Sequence, residues 1–133
     1  MPTQIVVAGA VVRRSTVLVA QRVRPPELAG RWELPGGKVA PGETERDALA
    51  RELAEELGLR TDDVAVGERL GEDVALDRMT LRAYHVRLVR GEPCARDHGA
   101  LRWVTAAELH EVDWVPADRA WLEHLTRALR AAS

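Results

Sequence analysis

GGKVAPGETERDALARELAEELGL, residues 36–59, runs from a glycine pair through a loop containing proline and glycine into a segment of helical period, then meets another glycine. Thr44 with Asp47 three residues on has the form of an N-terminal cap, and Gly58 is a C-terminal stop, so a helix is predicted over 45–57. Leu49, Leu53 and Leu57 form its core-facing stripe. Glu52, Glu55 and Glu56 share another face, about 100° round. Like charges at these spacings repel, and Glu55 and Glu56 also sit near the negative end of the helix dipole. One explanation is a solvated face on which Arg51 offsets Glu55 at i+4. The other is that a cation relieves the repulsion, because converging carboxylate oxygens are the hard donors that Mg²⁺ or Mn²⁺ prefers.

Working outward, QIVVAGAVV (4–12) and TVLVAQR (16–22) read as a strand pair joined by the charged turn 13–15. VRPPELAG (23–30) is a loop, since Pro25 and Pro26 remove two backbone donors, and RWEL (31–34) is a short strand leading into PGG. Val64–Leu70, Met79–Val89 and Ala100–Val104 are further strands. Pro116 opens a final amphipathic helix carrying Trp121, Leu122, Leu125 and Leu129. Strands with helices at the middle and end predict an α/β fold in which a mixed sheet lies between helical layers.

The 133 residues are one domain's worth of chain, 1–133, and 46% apolar content fits a soluble globular protein. A net charge of −2 gives no footprint for a nucleic acid polymer, so a polyanionic partner has to be small or met through a metal. The single Cys94 excludes an intramolecular disulfide, and no apolar run is long enough for a membrane span, which makes a cytoplasmic monomer or homodimer the expectation. Arginine outnumbers lysine 18 to 1, a compositional bias, and the one lysine, Lys38, falls inside the quoted stretch.

Gly37, five residues, Glu43, seven residues, Arg51-Glu52-Leu53, one residue, Glu55-Glu56, one residue, Gly58-Leu59 resembles the complete signature of the Nudix hydrolases. Chance would fill these positions with a probability of roughly 10⁻⁵ even allowing for the Glu and Arg excess. WELPGGK, the QR pair, ALRWV and WVPAD extend the similarity to the MutT-type branch over most of the chain. The resemblance implies a Nudix fold and Mg²⁺-dependent hydrolysis of nucleoside triphosphates to the monophosphate and pyrophosphate, with Mn²⁺ as a substitute. It implies that the Gly36 carbonyl, Glu52, Glu55 and Glu56 hold metal, and that Glu43 and Arg51 pair to support the site. Asp97 is a candidate for an additional catalytic carboxylate, and Arg22, Glu33, Leu34, Gly36, Gly37, Lys38 and Asp118 are candidates for substrate binding. Glu55 has a second possible place, behind the metal ligands rather than among them.

Asp118 departs from the pattern, because it aligns with a base-reading asparagine of the enzymes that destroy 8-oxo-dGTP. An asparagine amide both donates and accepts, whereas an ionised aspartate only accepts. It therefore suits the exocyclic amino group of cytosine, which ranks CTP, dCTP and their 5-methyl derivatives above 8-oxo-dGTP. A protonated Asp118 would reverse the argument, and a purely structural Asp118 would complement the dipole of the last helix. The resemblance also disfavours ADP-ribose as substrate, since Nudix enzymes of that branch usually carry a proline about fifteen residues beyond the signature and here no proline occurs between Pro41 and Pro93. A non-catalytic nucleotide-binding module on the same fold would not need every box glutamate, and all are present.

Overall fold

The computed structural model describes residues 3–132, so Met1, Pro2 and Ser133 lie outside the description. Its strands are β1 (Gln4–Arg13), β2 (Thr16–Gln21), β3 (Trp32–Glu33), β4 (Gly36–Lys38), β5 (Val64–Leu76), β6 (Met79–Leu88) and β7 (Ala100–Thr105), and its α-helices are α1 (Glu45–Leu57) and α2 (Leu122–Ala131). All seven strands join one sheet. β6 runs parallel to β1 along almost its whole length, and the remaining strand pairs are antiparallel, so the sheet is mixed as predicted.

The other edge of β1 is divided. Its Val12 and Arg13 pair with β2, but Val6, Val7 and Ala8 pair with β4. β2 meanwhile turns toward β3 at Ala20 and Gln21, and pairs with β7 on its far side. β1 and β2 thus diverge, and the segment 32–38 fills the split, with Gly9 N–H donating to the Pro35 carbonyl at 2.8 Å. Gly36 is required here: a Cβ on it would stand 1.9 Å from the Val7 carbonyl oxygen.

Two apolar clusters lie on opposite faces of the sheet. One joins α1, through Leu49, Leu53 and Leu57, to Val7, Val11, Leu18 and Val86, and the other joins Trp114, Trp121, Leu125 and Leu129 to Ala10, Val17, Val19 and Val104. The three α1 leucines are completely buried, and burial of each side chain contributes about 1.5–3 kcal/mol. Thr44 caps α1 by accepting the Asp47 N–H at 3.1 Å, and Gly58 ends it in the left-handed region.

The structure departs from expectation at three places. The glycine pair after Pro35, assigned to no strand from the sequence, belongs to β4, a strand paired with β1. β5 continues to Leu76 instead of stopping at Leu70, bending through irregularities that include Gly71 at φ +64°. The segment opened by Pro116 is a 3₁₀ turn to Trp121, and α-helix begins only at Leu122.

Candidate active site

The loop between β4 and α1 is tied to the helix by a bidentate ion pair: Arg51 Nε and Nη2 donate to Glu43 at 2.7 and 2.9 Å. Glu43 also accepts the Ala40 N–H at 2.9 Å, and Arg51 reaches the Lys38 carbonyl at 3.2 Å. The Arg51 bond, helped by Ala40, holds the Glu43 carboxyl down at about 2. Arg51 meets Glu55 only at 3.4 Å, and the Glu55 side chain is 60% exposed.

Glu52 and Glu56 differ from Glu55 in being sunk, at 17% and 12% side-chain exposure. Glu52 fits against Gly37. Burial, followed by the charges of Glu52, Glu33 and Asp97, pushes Glu56 up to about 8, against the opposing effect of the Gly36 backbone. Its Oε2 is buried and has no hydrogen-bond partner. The unfavourable helix end foreseen in the sequence is met by backbone: Cys94 N–H and Arg96 N–H donate to the Leu57 and Glu56 carbonyls at 2.9 and 3.1 Å.

Glu52, Glu55, Glu56, Gly36 and Asp97 border one cleft of about 480 Å³, together with Arg96. Among the described residues no three His, Cys, Asp or Glu side chains converge tightly enough to form a finished metal cage. The donors nonetheless fit a hard divalent cation. They are carboxylate oxygens, and the orphaned Glu56 Oε2 is a buried acceptor held where like charges crowd it. Asp97 reaches this cleft from the loop before β7, where Arg24 pairs with it at 3.3 Å.

Gly36 also borders two further cavities. A smaller one of about 240 Å³ adds Arg22, Arg24, Glu33 and His98. A larger one of about 630 Å³ runs from Arg22, Glu33, Lys38 and Gly37 to Leu76, Met79 and Leu81 of the β5–β6 hairpin, and to Asp118 and Trp121. Asp118 is buried and accepts the Leu34 N–H at 2.8 Å across 84 positions of sequence. Its burial outweighs that bond and raises its carboxyl to about 7. Leu34 therefore lines the pocket with its backbone donor already used. Arg22 is not loose in solvent but pairs with Glu33 at 2.9 Å. Of the tryptophans, Trp114 and Trp121 are core, Trp121 also bordering the pocket, and Trp103 stacks against Arg13 at 4.2 Å.

His98 is absent from the residues picked out by sequence. Its side chain is only 5% exposed, with Nε2 at 2.9 Å from Glu33 Oε2 and 3.7 Å from Glu56 Oε1. A lone histidine in ARDHG carries no spacing signal; only its place beside the candidate Asp97 could have drawn attention to it.

The NUDIX domain family matches residues 3–131. The chain belongs to the Nudix family and is a Nudix hydrolase. It is 72% identical to "Putative 8-oxo-dGTP diphosphatase 2" of Mycobacterium tuberculosis, over all of this chain (100%) and 95% of that protein. It is 41% identical to the CTP pyrophosphohydrolase of Escherichia coli K12, over 96% and 93% of the two chains. The solution structure of the E. coli ORF135 protein superposes with a TM-score of 0.78 at 36% identity, covering 99% of this chain and 94% of that one. Among the described residues no helix is long and apolar enough to cross a membrane.

Proposed function

We propose that the protein hydrolyses nucleoside triphosphates to the monophosphate and pyrophosphate with Mg²⁺, acting first on CTP, dCTP and their 5-methyl derivatives. The observation that carries the reading is the position of Gly36, which borders both the carboxylate cleft and the mostly apolar pocket ending at Asp118. A triphosphate lying over Gly36 and Gly37 reaches the α1 glutamates while its base enters the pocket. Glu52 and Glu56, with Glu55 and the Gly36 carbonyl at the rim, would hold the cation. A Mg²⁺ ion held by these residues would neutralise charge on the phosphates and on the leaving group. Water attacks one phosphorus of the linkage between the α- and β-phosphates, the bond from that phosphorus to the bridging oxygen breaks, and the other product leaves with that oxygen while the water's protons pass to the surroundings. Arg51 and Glu43 keep the glycine loop on the helix, Arg22 and Lys38 supply positive charge at the pocket mouth, and Asp97 adds negative charge from the loop side.

Asp118 carries the cytidine preference. Its Oδ2 already accepts the Leu34 N–H, an arrangement that favours the carboxylate, and a carboxylate accepts from the cytosine amino group. A second reading, 8-oxo-dGTP hydrolysis that cleans the nucleotide pool, is favoured by one observation: burial brings Asp118 to about 7, where its protonated form can donate to O6 of 8-oxoguanine. The name of the M. tuberculosis relative agrees with this alternative. A panel of canonical triphosphates, 8-oxo-dGTP and 5-methyl-dCTP, assayed for kcat/KM and for products with and without Mg²⁺, separates the two. The expected result is monophosphate plus pyrophosphate, with cytidine nucleotides preferred. Orthophosphate as the first product would overturn the reaction, and 8-oxo-dGTP at the head of the panel would overturn the preference.

A further inference from the structure

A polar chain crosses the site. Arg22, just beyond β2, donates to Glu33 Oε1 at 2.9 Å; Glu33 Oε2 meets His98 Nε2 at 2.9 Å; and the same Nε2 faces Glu56 Oε1 at 3.7 Å. Its first two members border the nucleoside pocket and its last borders the carboxylate cleft.

His98 has little freedom to leave this place. Arg96 N–H is bonded to the end of α1 through the Glu56 carbonyl, and Gly99 N–H to the end of β2 through the Gln21 carbonyl at 2.9 Å. A Cβ on Gly99 would stand 3.2 Å from Val23 Cγ1 and 3.4 Å from Gln21 Oε1, so the backbone passes close to the end of β2 and the segment that follows it. The imidazole is therefore pushed between two carboxylates from both sides. Both are acceptors when ionised, and Nδ1 is buried with no partner. A proton on Nε2 is used, whereas one on Nδ1 would have nothing to bond.

We propose that His98 is a positioning residue for the hydrolysis: its Nε2–H fixes Glu33, and through it Arg22, against Glu56, so that the base pocket and the carboxylate cleft keep one spacing. This rests on the triphosphatase reading above. With Glu56 ionised, as it would be around a bound cation, removing the N–H leaves Glu33 and Glu56 facing each other with no donor between them, and misaligns a bound nucleotide with the cleft without emptying the pocket.

The test compares H98Q, whose amide N–H can still reach Glu33, with H98L, which fills space and donates nothing. Melting temperatures establish that each variant folds. H98L is expected to lose about ten- to a hundredfold in kcat with KM little changed, and H98Q to recover most of the loss. Equal kinetics for the two variants would mean that His98 only fills space. Nitrogen-15 NMR of the wild-type imidazole at neutral pH needs neither variant nor substrate: a proton on Nε2, with a resonance that moves in E33Q, is expected, and an unprotonated Nε2 would overturn the proposal. A wild-type protein inactive on every triphosphate would defeat the assigned activity instead, and the NMR result would still decide the His98–Glu33 contact.

Discussion

A Cβ built on Gly37 would stand 1.8 Å from Glu52 Oε2, so the Glu52 carboxylate occupies the space that any side chain at position 37 would need. G37A should displace Glu52 and lower kcat/KM by at least about 10²-fold, the scale on which an ångström of misplacement is felt. Steady-state kinetics check this. Wild-type kcat/KM in G37A would show that Glu52 moves aside without consequence.

The Glu43–Arg51 pair predicts an acid limb. Glu43 is held at about 2 against an ordinary 4.5, so its contribution is complete above 4.5 and disappears as pH falls toward 2. E43Q should have a lower melting temperature than wild type at neutral pH, with the gap closing in acid. R51K should behave like E43Q, because an ammonium cannot reproduce the two-pronged bond. A gap independent of pH would place the effect in loop packing rather than charge.

Glu56 predicts the opposite slope. Its carboxyl rises from 4.5 to about 8, so between these values the folded metal-free protein holds a proton that the unfolded chain has lost. Stability without metal therefore falls as pH rises through this window, and Asp118, raised from 3.8 to about 7, adds to the fall in its own range. Thermal melts in EDTA should show a shallower decline for E56Q than for wild type. Mg²⁺ should recover wild-type stability most at the alkaline end, where binding acts on the ionised carboxylate. An E56Q profile parallel to wild type would remove Glu56 as the source.

Asp118 predicts a change in selectivity. D118N exchanges an acceptor for a group that also donates, and one buried bond to a charged group contributes about 1.5–3 kcal/mol, so the kcat/KM ratio of dCTP to 8-oxo-dGTP should fall roughly ten- to a hundredfold. In the wild type the same ratio should fall as pH drops through about 7, while in D118N it stays flat. A ratio unmoved by both would make Asp118 only the acceptor for Leu34 N–H.

Helix α1 was readable because cap, leucine stripe and stop agree, and because the signature fixes its residues by number along the chain. The box could not say that Glu52 and Glu56 would be sunk while Glu55 stays outside, since that depends on which side the glycine loop lies. β4 was missed because three residues containing two glycines carry no alternation, and their pairing is set by the split beside β1. The bend in β5 follows from Gly71 and a shift of register that local propensity does not encode. His98 became visible only when Glu33 and Glu56, 23 positions apart in sequence, were brought to either side of it.

The divided edge of β1 separates two duties along six residues of chain. Glu33 pairs with β2 and, with Leu34, would face base and ribose in the proposed binding mode, while Gly36 to Lys38 pair with β1 and would face phosphate. The floor of the base pocket at 115–121 and the α1 carboxylates rest on opposite faces of the sheet, in separate cores. A descendant of this chain could therefore exchange its preferred nucleobase by rebuilding the 115–121 turn and the tip of the β5–β6 hairpin, leaving the chemistry on α1 intact.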